Sequence, residues 1–171
     1  MRIDYEPRLD FDDVLIRPKR SEAPSRTAID LQREHRFLNS GGRWHGIPIV
    51  ASNMDTIGTM AMAAALGPEM MTCLHKHHPE AELVDFFRDE AHRAYAFYTL
   101  GIKDDELEKL KRVMAQVPLR HVCVDAANGY TRFFVERVKR IREAYRDVTI
   151  MAGNVATPEM VQELLIEGGA D

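Results

Sequence analysis

Polar residues able to do chemistry recur at five places in the 171-residue chain: Ser52-Asn53-Met54-Asp55-Thr56, His75-Lys76-His77-His78, Gly101-Ile102-Lys103, Asp125-Ala126-Ala127-Asn128-Gly129-Tyr130 and Gly153-Asn154-Val155-Ala156-Thr157. Amides, a carboxylate, an ammonium, imidazoles and glycines make a plausible lining for a polar, phosphorylated ligand. Each group also has a plain structural reading. Lys76 is either a cation for such a ligand or a solvated loop lysine. Asp125 ends an apolar run, so its charge needs a partner; a ribose diol is one candidate and a loop cap the other. Gly153-Asn154 also suits a simple strand-to-helix turn. Three histidines in four residues suggest zinc, but alternate side chains of an extended segment point apart, and there is no second ligand cluster, so no metal is expected. Cys73 and Cys123 sit inside apolar runs and read as inert core thiols rather than nucleophiles.

These clusters follow five short apolar runs rich in β-formers: Ile47 to Ala51, Met71 to His75, Tyr95 to Leu100, His121 to Asp125 and Val148 to Ala152. Their starts are one strand-loop-helix unit apart. The intervening segments carry helical periodicity. His78-Pro79 places proline at a first helical position, ahead of Glu80, Glu82 and apolar Leu83, Phe86 and Phe87. Asp104 to Met114 and Phe134 to Tyr145 each put an apolar stripe on one face. Thr157-Pro158-Glu159 opens the last helix with a capping hydroxyl, and Gly168-Gly169 closes it.

Continuous apolar strands alternating with helices predict a parallel sheet covered by helices, with ligands at the carboxyl ends of the strands. A doubly wound open sheet of five strands would be complete at this length, whereas an eight-stranded barrel needs at least about 200 residues. Residues 1–46 precede the repeat and could form a hairpin or an arm laid across one end of the sheet, with Phe37 and Trp44 to bury.

Composition narrows the class. With 45% hydrophobic and 29% charged residues the chain reads as an ordinary globular protein. A net charge of -4 supplies no global field for nucleic acid or an anionic membrane. No apolar run approaches the roughly 18 residues of a membrane span, and Met1-Arg2-Ile3-Asp4-Tyr5-Glu6 is too acidic for a signal peptide. Two well-separated cysteines give no disulfide framework. The expectation is a soluble, cytoplasmic protein.

Five motifs in order carry a resemblance: Leu15-Ile16-Arg17-Pro18-Lys19-Arg20-Ser21, Ala51-Ser52-Asn53-Met54-Asp55-Thr56, Leu74-His75-Lys76-His77, Asp125-Ala126-Ala127-Asn128-Gly129-Tyr130 and Ala152-Gly153-Asn154-Val155-Ala156-Thr157. Together, from about Leu9 to Asp171, the chain resembles the N-terminal half of the IMP dehydrogenase and GMP reductase family. That resemblance implies an α/β fold of the (β/α)8 TIM-barrel type. Residues 1–46 would be an N-terminal extension and 47–171 the first five βα units of an incomplete barrel. Asn53, His75-Lys76-His77 and Asn128-Gly129-Tyr130 resemble the reductase branch. So does the short segment between the second and third units, expected to hold one helix, where dehydrogenases commonly insert a CBS regulatory pair.

The resemblance further implies NADPH-dependent reductive deamination of GMP to IMP and ammonia, in purine salvage. Lys76, Asp125, Ala126 and Ala127 match cofactor-binding positions. Ser25 and Arg26 match an arm that reaches the adenosine end of a cofactor bound to a neighbouring subunit, the family's barrels commonly being homotetramers. Met54 and Asn154 match the substrate and nicotinamide pocket. Ala126 stands where many reductases have valine, a small change, and the Tyr98-Thr99-Leu100-Gly101 ending departs further from the pattern. The nucleophilic cysteine of a Gly-x-Gly-x-x-Cys loop and a potassium site are expected beyond Asp171. The 171 residues alone are therefore expected to be inactive and to fold poorly. Two alternatives remain at this point: NAD-dependent oxidation of IMP, and an inactive half-barrel that acts as an interaction protein.

Overall fold

The computed structural model describes residues 5–7 and 9–171; the first four residues of the acidic N-terminal stretch lie outside them. The chain divides into two compact units, one ending at Asp30 and one spanning Leu31–Asp171. In the first, short 3-10 turns occupy Phe11–Asp13 and Arg26–Ala28. Ser25 caps the second turn, its Oγ accepting the Thr27 amide at 3.2 Å.

The larger unit begins with an antiparallel hairpin, β1 (Arg33–Arg36) and β2 (Arg43–Gly46). Five parallel strands follow: β3 (Val50–Ala51), β4 (Met71–Cys73), β5 (Ala96–Leu100), β6 (His121–Asp125) and β7 (Thr149–Gly153). Each pairs with its sequence neighbour, giving the order β3-β4-β5-β6-β7. A doubly wound sheet would reverse direction and carry helices on both faces. Here the outward residues Leu74, Tyr98, Leu100, Val122, Val124 and Ile150 share one core with the helices. The opposite face holds a separate cluster of Met71, Cys73, Phe97 and Cys123, against which Trp44 of β2 packs. One helical face and one inward face, wound in a single direction, are a segment of a TIM barrel. The open-sheet alternative is thereby excluded.

The helices are α1 (Met60–Leu66), α2 (Glu80–Arg88), α3 (Glu90–Tyr95), α4 (Asp104–Met114), α5 (Arg132–Ala144) and α6 (Pro158–Glu163). Phe134, Val138 and Ile141 form the fully buried stripe of α5, whose N-terminus is capped by Thr131. Three local expectations are revised. The segment between β4 and β5 holds two helices rather than one, because the Asp89 carboxylate accepts the Ala91 amide at 2.9 Å and starts a second helix. Pro79 is the residue before α2, not its first residue. Thr157 precedes α6 without capping it through its hydroxyl. A π-helical turn (Leu164–Gly168) extends α6 and ends at Gly169, whose φ of 72° is the left-handed conformation glycine adopts freely.

Asp171 binds these parts together. Its side chain is 1% exposed and paired with Arg142 of α5, Nη2 to Oδ2 at 2.6 Å. Oδ2 also accepts the Ile150 amide of β7 at 3.0 Å, while Oδ1 accepts the amides of Asn39 and Ser40 in the hairpin turn at 2.7 and 2.8 Å. Arg142 donates in turn to the carbonyls of Gly169, Arg146 and Val148. One carboxylate thus joins hairpin, strand and helix. Nearby, Phe37 meets His121 edge-on at 6.1 Å, and the Ser40 hydroxyl lies 3.1 Å from that of Thr149. The hairpin therefore covers the amino ends of β6 and β7.

Removing one partner of a buried ion pair strands the other charge at a cost of about 3–5 kcal/mol. Arg142→Met is accordingly expected to lower unfolding free energy by about 3 kcal/mol or more, read from the urea midpoint; an unchanged midpoint would show the pair to be idle. A second prediction concerns pH. His121 is 6% exposed, with Nε2 placed 3.2 Å from the Ala94 carbonyl and Nδ1 without a hydrogen-bond partner among the described residues. Burial pushes its pKa from 6.5 down to about 4. Above pH 6.5 the imidazole is neutral in both states. As pH falls toward 4 the unfolded chain takes up a proton that the folded chain refuses, so stability is lost across that window. Between pH 7 and 5 the loss from this group is about 2 kcal/mol. His121→Leu should lose that much less over the same interval in paired urea titrations, and parallel losses in the two proteins would refute the assignment.

Candidate functional site

Because the five strands run parallel, their carboxyl ends open onto one side. Two adjoining cavities lie there, one of about 360 Å³ and one of about 590 Å³. Lining the first are Asn53, Asp125, Gly153 and Asn154 above the sulfur-bearing floor of Cys73, Cys123 and Met151. Lys76, Lys103, Glu106, Asp125, Ala126 and Ala127 line the second. Asp125 is common to both. It is half-buried, and none of the described residues donates a hydrogen bond to its carboxylate. The loop-cap reading of Asp125 therefore has no donor behind it among the described residues, and the carboxylate lines both cavities.

The loops that form these walls are tightly placed. Ala126 N donates to Gly153 O at 2.8 Å, Asn154 N to Ala126 O at 2.7 Å and Gly129 N to Asn154 O at 3.0 Å. Gly129 is required where it stands: a Cβ there would lie 2.7 Å from both Asn154 O and Val155 Cγ1. Tyr130 closes the same junction, its hydroxyl accepting the Ala156 amide at 2.7 Å and donating to Thr157 Oγ1 at 3.2 Å. This contact engages the Thr157 hydroxyl outside α6. On the other wall, Glu106 of α4 accepts the Lys103 amide at 3.1 Å and would sit 2.6 Å from any Cβ at Gly101.

After β4 the chain turns instead of staying extended, and the histidines gather on one side. The His75 and His78 rings stack at 3.7 Å, with His77 at 6.2 Å from His75. Lys109 Nζ holds this turn through the His78 carbonyl at 2.6 Å. Burial, with help from His78, pushes the His75 pKa below its ordinary value. Among the described residues no three His, Cys, Asp or Glu side chains are arranged as a metal site. Lys76 itself is exposed, with no hydrogen bond or ion pair to a described residue. Cys73 and Cys123 are buried free thiols, and their mutual contact together with burial pushes the Cys73 thiol up, away from a reactive thiolate.

The structure thus brings Lys76, Asp125, Ala126 and Ala127 to one cavity and Asn154 to the next. Met54 is 58% exposed and outside both linings, where its neighbour Asn53 lies instead. Ser25 and Arg26 belong to the smaller unit and are exposed there. Sequence reasoning named Asn53 as a mark of the reductase branch and not as a site residue, and it passed over Glu106 and the Tyr130–Thr157 contact. The only available signal for Tyr130 was its position directly after the Asn128-Gly129 turn.

Comparison with known proteins agrees with this geometry. Residues 8–171 match the sequence profile of a family described as IMP dehydrogenase / GMP reductase domain. A protein named GMP reductase from Caenorhabditis elegans is 47% identical over 171 residues, covering 98% of this chain and 48% of that protein. Another so named, from Tolumonas auensis, is 45% identical over 98% of this chain and 50% of its own length. Among solved structures, inosine 5' monophosphate dehydrogenase from Legionella pneumophila superposes with a TM-score of 0.76 at 27% identity, covering 94% of this chain and 48% of that one. The chain spans about half the length of the curated relatives it matches. With a profile match across nearly its whole length and a barrel segment whose strand ends carry the motifs, the chain belongs to the IMP dehydrogenase and GMP reductase family.

Proposed function

We propose that the protein containing this chain is a GMP reductase, converting GMP to IMP and ammonia with NADPH as reductant, within purine nucleotide salvage. The observation that carries this reading is the Asp125 carboxylate between two cavities, without a hydrogen-bond donor among the described residues, with Lys76 lining the larger. A carboxylate facing hydroxyls and a cation facing phosphate are what a dinucleotide requires. The names of the relatives favour the reductase over the dehydrogenase.

In this reading Lys76, Asp125, Ala126 and Ala127 hold NADPH, which supplies hydride for the purine carbon that loses ammonia. Ala126 and Ala127 keep that wall small, so the cofactor can lie against the backbone. Asn154, with Asn53 beside it, orients the nucleotide in the adjoining cavity, and Met54 lies at its rim. Ser25 and Arg26 would serve the cofactor of a neighbouring subunit, Arg26 through phosphate, in a homotetramer. The nucleophile is a cysteine on the loop after the sixth strand and the potassium site lies with it, both beyond Asp171. Residues 1–46 act as arm and hairpin cover, and residues 47–171 as the first five βα units, without a CBS pair. No helix among the described residues is long and apolar enough to cross a membrane, and the net charge of -4 favours no nucleic-acid partner. A cytoplasmic location fits both.

The test is spectrophotometric. A protein extended to the length of its relatives should oxidise NADPH when given GMP and should not reduce NAD when given IMP; the opposite pattern would favour the dehydrogenase. Residues 1–171 alone should give no turnover. Lys76→Ala and Asp125→Ala should each raise the KM for NADPH about tenfold, the equivalent of about 1.4 kcal/mol of lost binding, with an unchanged circular dichroism spectrum. Unaltered KM values in both would remove these residues from the cofactor site.

A further inference from the structure

Thr157 stands where a helix-capping hydroxyl is expected, directly before Pro158 of α6, yet it makes no cap. Its Oγ1 receives the Tyr130 hydroxyl proton at 3.2 Å instead. The same phenol oxygen accepts the Ala156 amide at 2.7 Å, so one side chain from the β6 loop holds two consecutive residues of the β7 loop. A favourable local choice given up for a longer-range contact is the kind of exception that functional sites produce.

The two loops do separate work. Ala126, Ala127 and Asn128 line the larger cavity, Gly153, Asn154 and Val155 line the smaller, and Asp125 lines both. Backbone hydrogen bonds tie them at Ala126, Gly129 and Asn154. Beyond Asn154 the described ties from the β6 loop to residues 155–157 come from the Tyr130 hydroxyl. Tyr130 is itself held at its backbone, where its amide donates to Asn128 Oδ1 at 3.0 Å, and Asn128 lines the larger cavity. A ligand that orders Asn128 in one cavity therefore orders the hydroxyl that fixes the loop of the other.

We propose that Tyr130 is a positioning residue that couples the two ligand cavities, clamping the loop of Asn154 to the loop of Asp125 so that nucleotide and dinucleotide each bind to a wall the other has ordered. This rests on the reductase reading for the identity of the ligands, and on the hydrogen bonds alone for the clamp. Tyr130 is not among the residues lining either cavity and takes no part in bond making; its effect is on binding and on the coupling between sites.

The experiment compares the full-length protein with its Tyr130→Phe and Thr157→Ser variants. Tyr130→Phe keeps the ring and deletes only the hydroxyl. Hydrogen exchange on the ligand-free proteins should show the Ala156 amide exchanging about tenfold faster in Tyr130→Phe than in wild type, with thermal midpoints alike. In steady-state assays Tyr130→Phe should raise the KM for GMP and for NADPH together by about fivefold, on the scale of one hydrogen bond's net contribution, and kcat should change less than twofold. Thr157→Ser, which keeps an acceptor for the phenol, should behave as wild type. Equal exchange at Ala156, or a rise in one KM without the other, overturns the clamp. Absence of GMP-dependent turnover in the wild type overturns the reductase reading instead, and the exchange comparison, which needs no substrate, still decides the clamp.

Discussion

A single carboxylate with 1% of its surface exposed fixes the relation among three kinds of element in the larger unit. Asp171 accepts hydrogen bonds from the turn of the β1–β2 hairpin, from the edge strand β7 and from the guanidinium of Arg142 on α5. Charged groups are rarely placed in such a position unless every lone pair is used, since the cost of dehydration is recovered only by full satisfaction. Here amides and a guanidinium surround it, and the guanidinium spends its remaining donors on carbonyls at the ends of α5 and the π-helical turn. The arrangement ties down the amino-terminal side of the barrel segment. The strand ends on the opposite side, where the two cavities lie, take no part in this tie and are held by their own loop-to-loop hydrogen bonds.

That division of labour follows the family's barrel logic. Side chains from the first residues of β6 and β7 meet the hairpin: His121 against Phe37, Thr149 against Ser40. The last residues of the same strands, Asp125 and Gly153, open into the cavities. Between them the inward face is filled by Met71, Cys73, Phe97 and Cys123 with Trp44 packed against them, an apolar and polarisable floor. The two cysteines are part of that floor, which is why neither has the environment of a nucleophile.

Much of the barrel segment was legible because its signals are local. Strands buried on both faces read as continuous apolar runs, and β6 falls on His121–Asp125 as the run itself does. The α4 bounds, Asp104–Met114, follow the acidic first turn and the apolar stripe. Where the sequence misled, the deciding interaction lay far away along the chain or turned on one residue. β3 keeps only two residues, a length that depends on its pairing with β4 and not on its own composition. Asn53 faces a cavity and Met54 does not, a one-position distinction that an apolar pattern cannot make at the end of so short a strand. The Asp171–Arg142 pair joins residues whose separate contexts, a Gly-Gly-Ala-Asp end and a basic helix face, look like ordinary surface. Tyr130 was visible only as a letter in a motif, since its partners at Ala156 and Thr157 are set by the approach of two loops.

The hydrogen bond from the Asn39 amide to Asp171 spans 132 positions. On a ribosome that adds residues from the amino terminus, the strands β3 to β7 can pair in the order of their appearance, each on the one before. The hairpin, although made before the sheet, lacks part of its seat until Asp171 has emerged, and Trp44 and Phe37 must wait or dock on an unfinished floor. The hairpin is thus secured only after the five strands that follow it, and the interval in which its aromatic residues lack these contacts is when nascent chains are most prone to meet one another.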